Sequence, residues 1–210
     1  MITLNHTDAF LIRDASGHSY YGGDQRWFGN GKEYRKEAAC GATTCANILG
    51  YLAQTREALA GSAQTQEEPV VSAQTREEFA DSVQTQEELA GLAPFDLHDK
   101  NSFLEFMKAV YPYVRPGLIG IMPADFTRGA EEYSAARGFA FDYDLLPVPA
   151  ASSKRPGADA MYRFLNAALA DDLPVAFLNL SGGRVKNLDS YHWVTLVGLD
   201  DSAGLCRIVD

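Results

Sequence analysis

A decapeptide repeat occupies the second quarter of the chain and limits what the remainder can build. Its four copies start at a spacing of ten residues, at Ala53, Ala63, Ala73 and Val83. Each residue of an α-helix turns about 100°, so a ten-residue step leaves each copy roughly 80° out of phase and no helix face repeats. The copies are also poor in large apolar residues and too short for the common solenoid units. We interpret 53–92 as a low-complexity acidic insertion, with a binding array as the alternative.

The two flanks of the repeat must therefore supply the core, and their patterns are typical of an α+β fold. At 210 residues the chain is long enough for one domain, 1–210, that carries the insertion. Helical periodicity precedes the insertion and follows it, whereas short apolar runs gather near the end. The patterns predict a hairpin over 10–21, helices from Cys40 and over 99–114, 125–137 and 159–170, and strands over 118–122, 173–179, around His192 and over 205–209.

Charge and composition exclude some classes of partner. The net charge is −10, which argues against a nucleic-acid backbone or an anionic membrane as the main partner. No apolar stretch is long enough to cross a bilayer, and the N-terminus lacks the pattern of a secretory signal. Three cysteines are an odd and sparse set, which favours reduced thiols over a disulfide framework. We therefore expect a cytoplasmic protein.

Cys40 stands where a nucleophile would be useful. The sequence Ala39-Cys40-Gly41 opens onto a helical pattern, and the unpaired N–H groups of a helix start favour the thiolate form of a cysteine. Cys45 lies about 140° away around the same helix. We therefore expect Cys45 to face the core and Cys40 to face a cleft.

The end of the chain supplies the partners that such a thiol needs. His192 begins the strand-like run His-Trp-Val-Thr-Leu-Val-Gly, where a rigid imidazole could take and return a proton. Asp210 follows 18 residues later, the length of a hairpin. A carboxylate there could orient the ring through its second nitrogen.

Structural roles are the simpler interpretation of each residue alone, since a buried Cys is usually a small apolar residue and a strand His usually a satisfied core group. The joint pattern is harder to explain in that way. Metal binding is the other use of Cys and His, but Cys40, Cys45, Cys206 and the remaining histidines have no paired ligand spacing. We expect neither a metal nor a cofactor.

These segments resemble the papain-like cysteine peptidases, in particular the bacteriocin-processing, double-glycine type. That group has a Cys-Gly helix start, a His-Trp-Val strand and an Asp after the following strand. The resemblance covers 22–51 and 173–210 well, and the middle only by the order of elements. It implies a fold in which the Cys helix of an N-terminal helical part packs on a C-terminal antiparallel sheet. It also implies Cys40 as nucleophile, His192 as general base and acid, and Asp210 as the orienting residue.

Two departures from the family concern the oxyanion hole and the end of the chain. The family has a Gln shortly before the Cys, where this chain has Tyr34. Gln25, fifteen residues upstream, is the nearest Gln, and Asn30 is a second candidate donor. The sequence also stops at Asp210 itself, which suggests truncation.

The function expected from this pattern is hydrolysis of a peptide or amide bond in a peptide or protein substrate, through a thioester on Cys40. One rival keeps the triad but transfers the acyl group to an amine, as a transglutaminase-like or amidase-like enzyme. The other is a catalytically degenerate papain-like domain that binds a partner, in which Cys40 has no special reactivity.

Overall fold

The structure is a computed structural model that describes residues 1–29, 36–62, 91–118, 120–149, 151–180 and 187–210. Over these ranges it is a mixed α+β fold. The helices are α1 (Cys40–Ser62), α2 (Lys100–Val110), α3 (Pro123–Ala135) and α4 (Ala158–Ala170), and the strands are β1 (Ile2–Thr3), β2 (Leu11–Arg13), β3 (Ser19–Tyr21), β4 (Val175–Asn179), β5 (His192–Asp200) and β6 (Leu205–Val209). Short 3-10 helices span Thr7–Phe10, Gln25–Phe28, Lys36–Ala38 and Ser152–Lys154.

The strand β5 is the centre of the main sheet. It pairs antiparallel with β4 and β1 and, separately, with β6. Its residues from His192 to Leu199 are all buried, because α1 packs against β5 and α4 also contacts this sheet. A strand covered in this way needs a nearly continuous apolar run, which the sequence supplies from Trp193 to Leu199.

The main core lies between α1 and the helices that follow the insertion. Phe103, Phe106, Met107 and Val110 of α2 are buried, and this helix lies within the one predicted over 99–114. The helix begins where the carboxylate of Asp99 accepts a hydrogen bond from the backbone N–H of Ser102 at 2.9 Å, an N-cap that satisfies an otherwise unpaired donor. The hairpin predicted over 10–21 is also present, as β2 paired with β3.

The strand predicted over 118–122 is wrong. The N–H of Gly117 donates to the carbonyl of Gly120 at 2.8 Å and closes a turn, Leu118 is 98% exposed, and Pro123 already begins α3. Gly120 has a φ of 89°, a conformation that glycine adopts readily and other residues avoid. The apolar residues of this segment indicated a strand, but the chain turns between Gly117 and Gly120.

The two-residue strand β1 has no counterpart among the predicted elements. Ile2 and Thr3 pair with Leu199 and Gly198 of β5, and a run this short carries no recognisable periodicity.

The ends of the predicted insertion belong to the core, since Ala53, Thr55 and Leu92 are buried, while 63–90 lies outside the described residues. No helix in the described part of the chain is both long enough and apolar enough to cross a membrane.

Candidate active site

Cys40 is the first residue of α1 and lies at the end of that helix that faces the start of β5. The residue is 7% exposed, so its thiol is largely removed from water while still lining a cavity. Gly41 is required beside it, because a Cβ there would lie 2.5 Å from Cγ2 of Ile121. The Cys-Gly pair therefore combines a thiol at a helix start with close packing of the next residue.

His192 is the first residue of β5 and is 7% exposed. It pairs with Asn179, the last residue of β4, so the sheet fixes its backbone on that side. Its side chain lies within interaction range of the Cys40 thiol, which contributes to the raised pKa of the ring, and this brings the two predicted residues together across the contact between α1 and β5. The imidazole thus stands on a rigid strand, as the sequence pattern predicted.

Asp210 follows the last residue of β6. Val209 pairs with Thr195 in the β5–β6 ladder, and this register returns the chain to the beginning of β5. Nε2–H of His192 donates to Oδ2 of Asp210 at 2.7 Å, while the Asp210 side chain remains 41% exposed. Because Nε2 is occupied by the carboxylate, Nδ1 is the ring nitrogen left for the thiol.

The electrostatics of the site favour a protonated imidazole. The hydrogen bond to the Asp210 carboxylate, followed by the interaction with the Cys40 thiol, raises the pKa of His192 to about 10 against the opposing effect of burial. At neutral pH the ring is therefore an imidazolium that can hold a proton on Nδ1. A cation beside a cysteine stabilises the thiolate form.

The other two cysteines have different surroundings. Cys45 is 1% exposed, and its burial raises the pKa of the thiol to about 12. Cys206 lies exposed on β6, where partial burial raises its pKa. The expectation that Cys45 faces the core is confirmed, and Cys40 is the one of the three that contributes to the pKa of a histidine.

The oxyanion candidates differ in what the structure describes. Gln25 opens the 3-10 helix Gln25–Phe28, which packs against Lys36–Ala38, the segment that leads into Cys40. Its neighbour Arg26 is within electrostatic range of Asp210. Oε1 of Gln25 is buried with no hydrogen-bond partner among the described residues. Asn30 lies outside the described residues.

A cavity of about 160 Å³ adjoins Cys40. Its walls come from the turn before α3, from the end of β4 and from the start of β5, and they include Ile121, Leu178 and Trp193. Trp193 joins two of these walls, because its Nε1–H donates to the carbonyl of Ile121 at 3.0 Å and its ring stacks on Phe126 with centroids 4.3 Å apart.

Sequence reasoning assigned no role to Asn47, a polar residue buried inside α1. Its Oδ1 accepts a hydrogen bond from the N–H of Gly23 at 2.8 Å, and Gly23 has no room for a side chain, because a Cβ would lie 2.6 Å from Phe103. Asn47 therefore holds the loop that leads to Gln25 against the helix of Cys40. An Asn among the small residues of this helix was the available signal, since a buried amide requires a partner.

Within the described residues, no group of three or more His, Cys, Asp or Glu side chains could hold a metal ion. We compared the chain with models of protein families, with curated proteins and with solved structures. No family, curated protein or solved structure matches it.

Proposed function

We propose that this protein is a thiol-dependent hydrolase of the papain-like kind, which cleaves a peptide or amide bond through Cys40, His192 and Asp210. The observation that carries the proposal is the convergence of three groups: the Cys40 thiol lies within interaction range of His192, and His192 is hydrogen-bonded to Asp210 at 2.7 Å. Its members come from a helix start, a strand start and the residue after a strand. An ordered thiol, imidazole and carboxylate are the parts that covalent acyl transfer needs.

In the first half of the reaction, the Cys40 thiolate attacks the carbonyl carbon and forms a C–S bond, and the carbonyl π electrons move onto the oxygen. The tetrahedral intermediate collapses as the C–N bond breaks. The proton on Nδ1 of His192 passes to the leaving nitrogen, which departs as an amine. Sulfur is left in a thioester with the acyl part of the substrate.

In the second half, neutral His192 takes a proton from water, and the hydroxide oxygen adds to the thioester carbonyl carbon. The C–S bond then breaks, the carboxylic acid leaves, and the thiolate and imidazolium are restored. The side chain of Asp210 keeps the ring oriented through Nε2, as a carboxylate does in related constellations. Transfer to an added amine instead of water would indicate the acyl transferase alternative.

Gln25 is the donor we assign to the oxyanion. Its 3-10 helix packs on the segment before Cys40, and Asn47 fixes the preceding loop to α1. An amide N–H from Gln25 would supplement the backbone N–H groups at the start of α1, which have no partners within the helix. Such preorganised donors stabilise the charge that develops on the carbonyl oxygen.

The reactivity of the three thiols within one molecule tests the proposal. The native protein is treated with limiting iodoacetamide at neutral pH, and the rate at each cysteine is read by mass spectrometry of peptides. We expect Cys40 to react faster than the exposed Cys206, and His192→Ala to reduce the Cys40 rate to that of an ordinary thiol. Cys206 is the internal control, because its rate should be the same in both proteins. Equal rates at Cys40 and Cys206, unchanged by His192→Ala, would refute the proposal.

A further inference from the structure

A second cavity lies along α1, away from Cys40. It is an open groove of about 540 Å³ between Ala53 and Gln54 of α1, the segment 93–98 and Ser102 of α2, a volume in the range of small-molecule sites. Gln54 follows Cys40 by 14 residues, which is about 21 Å along a helix. Within the part of the chain that the structure describes, the groove shares no lining residue with the cavity at Cys40. The groove is therefore separate from the candidate active site.

Gln54 leaves a hydrogen-bond acceptor unused in the wall of the groove. Its Nε2 donates to the carbonyl oxygens of Ala9 at 3.1 Å and of Gly50 at 3.2 Å. A carbonyl oxygen can only accept, so both contacts require the NH₂ end of the amide and fix its orientation. Oε1 has no partner among the described residues, and the side chain is only half-buried. Oε1 can therefore accept a hydrogen bond from a bound group.

Asp96 and His98 add further acceptors. Nδ1 of His98 lies 2.8 Å from the carbonyl oxygen of Leu11, so Nδ1 carries a hydrogen and Nε2 is the acceptor of the neutral ring. The backbone N–H of His98 donates to Oδ1 of Asp96 at 3.0 Å, which fixes the carboxylate relative to the histidine. Both residues are exposed. Neither Nε2 of His98 nor Oδ2 of Asp96 has a partner among the described residues.

Hydrogen-bond donors are scarce in the same walls. The N–H of Phe95 already donates to the carbonyl of Ala93 at 2.7 Å, and Pro94 has no N–H. The N–H of Asp96 donates to Oγ of Ser102 at 2.9 Å, which leaves the hydroxyl hydrogen of Ser102 as a donor. Among the lining side chains that the structure describes, one donor is therefore set against three accepting groups.

Charge and shape restrict the ligand further. Asp96 is the one permanently charged residue among the described residues that line the groove. At the start of α2, the carboxylate of Asp99 accepts from the N–H of Ser102 and offsets the positive end of the helix dipole. Phe95 supplies an aromatic wall, because its half-buried ring packs on Phe106 with centroids 5.4 Å apart. A matching ligand is cationic and rich in N–H at one end and apolar at the other.

We propose that the groove binds an organic cation, an ammonium or guanidinium group on an apolar body, through Asp96, His98 and Gln54. An ammonium carries three donors and a guanidinium five, and neither group accepts a hydrogen bond. Both therefore complement the groove, whereas a carboxylate or phosphate would meet a like charge and a surplus of acceptors. The proposal does not depend on Cys40 and goes beyond the proposed function.

Three probes with the same phenyl body and different head groups test the charge selection. They are phenethylamine, phenethyl alcohol and phenylacetate, each titrated into the native full chain while the NMR signal of the His98 ring is followed. The His98→Asn variant identifies that signal by its loss. We expect a saturable shift with phenethylamine and a Kd at least about 5-fold lower than that of the alcohol. Phenylacetate should cause no shift.

Two charge variants locate the selection in the groove. Asp96→Asn keeps Oδ1 as the acceptor for the N–H of His98 and removes the charge, so the Kd for phenethylamine should rise at least about 3-fold. Asp200→Asn is the matched control. The Asp200 carboxylate also accepts a backbone N–H, that of Ala203 at 3.2 Å, but it lies at the end of β5 and outside the groove. This variant should leave the Kd unchanged.

The cation can belong to a free amine or to the basic side chain of a peptide, and acetyl-Phe-Arg-amide separates these sources. A lower Kd for this peptide than for phenethylamine supports a basic side chain as the ligand, and a higher Kd supports a free amine.

Three results would overturn the proposal: saturable binding of phenylacetate at the groove, no shift with either phenethylamine or the peptide, or equal weakening by Asp96→Asn and Asp200→Asn. None of them bears on the rate at which iodoacetamide alkylates Cys40. Failure of the groove and failure of the proposed function are therefore measured separately.

Discussion

Two carboxylates at opposite ends of β4 make hydrogen bonds of the same length and have very different surroundings. Asp210 accepts a hydrogen bond from His192 at 2.7 Å, and His192 pairs with Asn179, the last residue of β4. Asp172, just before β4 begins, accepts from the hydroxyl of Tyr51 and from the N–H of Asn5, each also at 2.7 Å. Hydrogen-bond distance therefore does not tell the two clusters apart.

What separates them is the partner that each carboxylate holds. The partner of Asp210 is an imidazole with a pKa of about 10, which sits beside a thiol and a cavity. The partner of Asp172 is a buried hydroxyl: burial, together with the hydrogen bond to Asp172, raises the pKa of Tyr51 above its usual range. Tyr51 therefore stays protonated near neutral pH. Its hydrogen bond to Asp172, with that of Asn5, connects the N-terminal segment and α1 to the start of β4.

The helix α1 serves both clusters, since Cys40 is its first residue and Tyr51 lies eleven residues further along. At 1.5 Å per residue this separation is about 16 Å, too far for direct contact. We therefore expect changes in one cluster to affect catalysis and changes in the other to affect stability.

The largest kinetic effect should come from replacing Cys40, with the replacement of Cys45 in the same helix as the comparison. Cys40→Ala should lower kcat/KM for a peptide amide substrate by about 10⁴-fold or more, because the thioester forms on the Cys40 sulfur. Cys45→Ala should leave kcat/KM close to that of the wild type and lower the urea midpoint instead, because Cys45 fills the core. Equal kinetic losses in the two variants would contradict the assignment of Cys40 as the nucleophile.

Gln25→Ala should have the next largest effect. Removing one oxyanion donor typically costs about 10²–10³ in kcat, and we expect a loss of this size for peptide hydrolysis. Alkylation of Cys40 by iodoacetamide forms no oxyanion, so its rate should not change in the same variant. A normal kcat in Gln25→Ala would place the donor elsewhere, and a slower alkylation would show that Gln25 acts on the thiol.

Asp210→Asn should change the pH profile more than the maximum rate. The folded pKa of His192 is raised to about 10, so the imidazolium persists well above the ordinary pKa of about 6.5. Without the carboxylate we expect the alkaline limb of kcat/KM to move to lower pH by about 1–3 units. Asp201→Asn, which removes an exposed charge after β5, is the control and should leave the limb in place.

The same pKa shift predicts how stability depends on pH. A group whose pKa is higher in the folded state contributes stability that is fully present below its unfolded pKa, about 6.5, and is lost as the pH rises towards the folded value, about 10. The stability difference between wild type and Asp210→Asn should therefore be larger at pH 6 than at pH 10 in urea titrations. A difference that grows with pH would contradict the raised pKa.

The parts of the site that the sequence predicted are those that depend on local patterns. Cys40 at a helix start follows from periodicity, and Asp210 beside His192 follows from the length of one hairpin. The mixed α+β class also follows from the order of periodic segments. In each case the determining contacts lie within one element or between two consecutive strands.

The parts that could not be predicted depend on contacts between distant segments. The cavity combines Ile121, Leu178 and Trp193, and only tertiary packing brings the turn before α3 to the strands. Likewise β1 exists because β5 offers an unpaired edge at Gly198 and Leu199, and its own two residues carry no pattern. The link from Asn47 to Gly23 spans 24 residues and is specified by the fold rather than by spacing.

The smallest kinetic effect should come from the cluster away from the site. Tyr51→Phe keeps the ring that stacks on Phe10, with centroids 5.0 Å apart, and removes only the hydroxyl. It leaves the buried carboxylate of Asp172, whose Oδ2 already has no partner among the described residues, with one donor fewer. We expect a loss of about 1–3 kcal/mol in the free energy of unfolding, the cost of an unsatisfied buried acceptor, and an unchanged kcat/KM.

Tyr20→Phe is the matched control for this loss. The Tyr20 hydroxyl also donates to a carboxylate, that of Asp14 at 2.9 Å, and it accepts from Nζ of Lys100 at 2.9 Å. Both partners are only partly buried, so water can replace the lost contacts. Its urea midpoint should therefore fall less than that of Tyr51→Phe. If instead Tyr51→Phe lowered kcat/KM while unfolding was unchanged, the cluster at Asp172 would be coupled to the chemistry at Cys40. The two ends of β4 would then have to be treated as one functional unit.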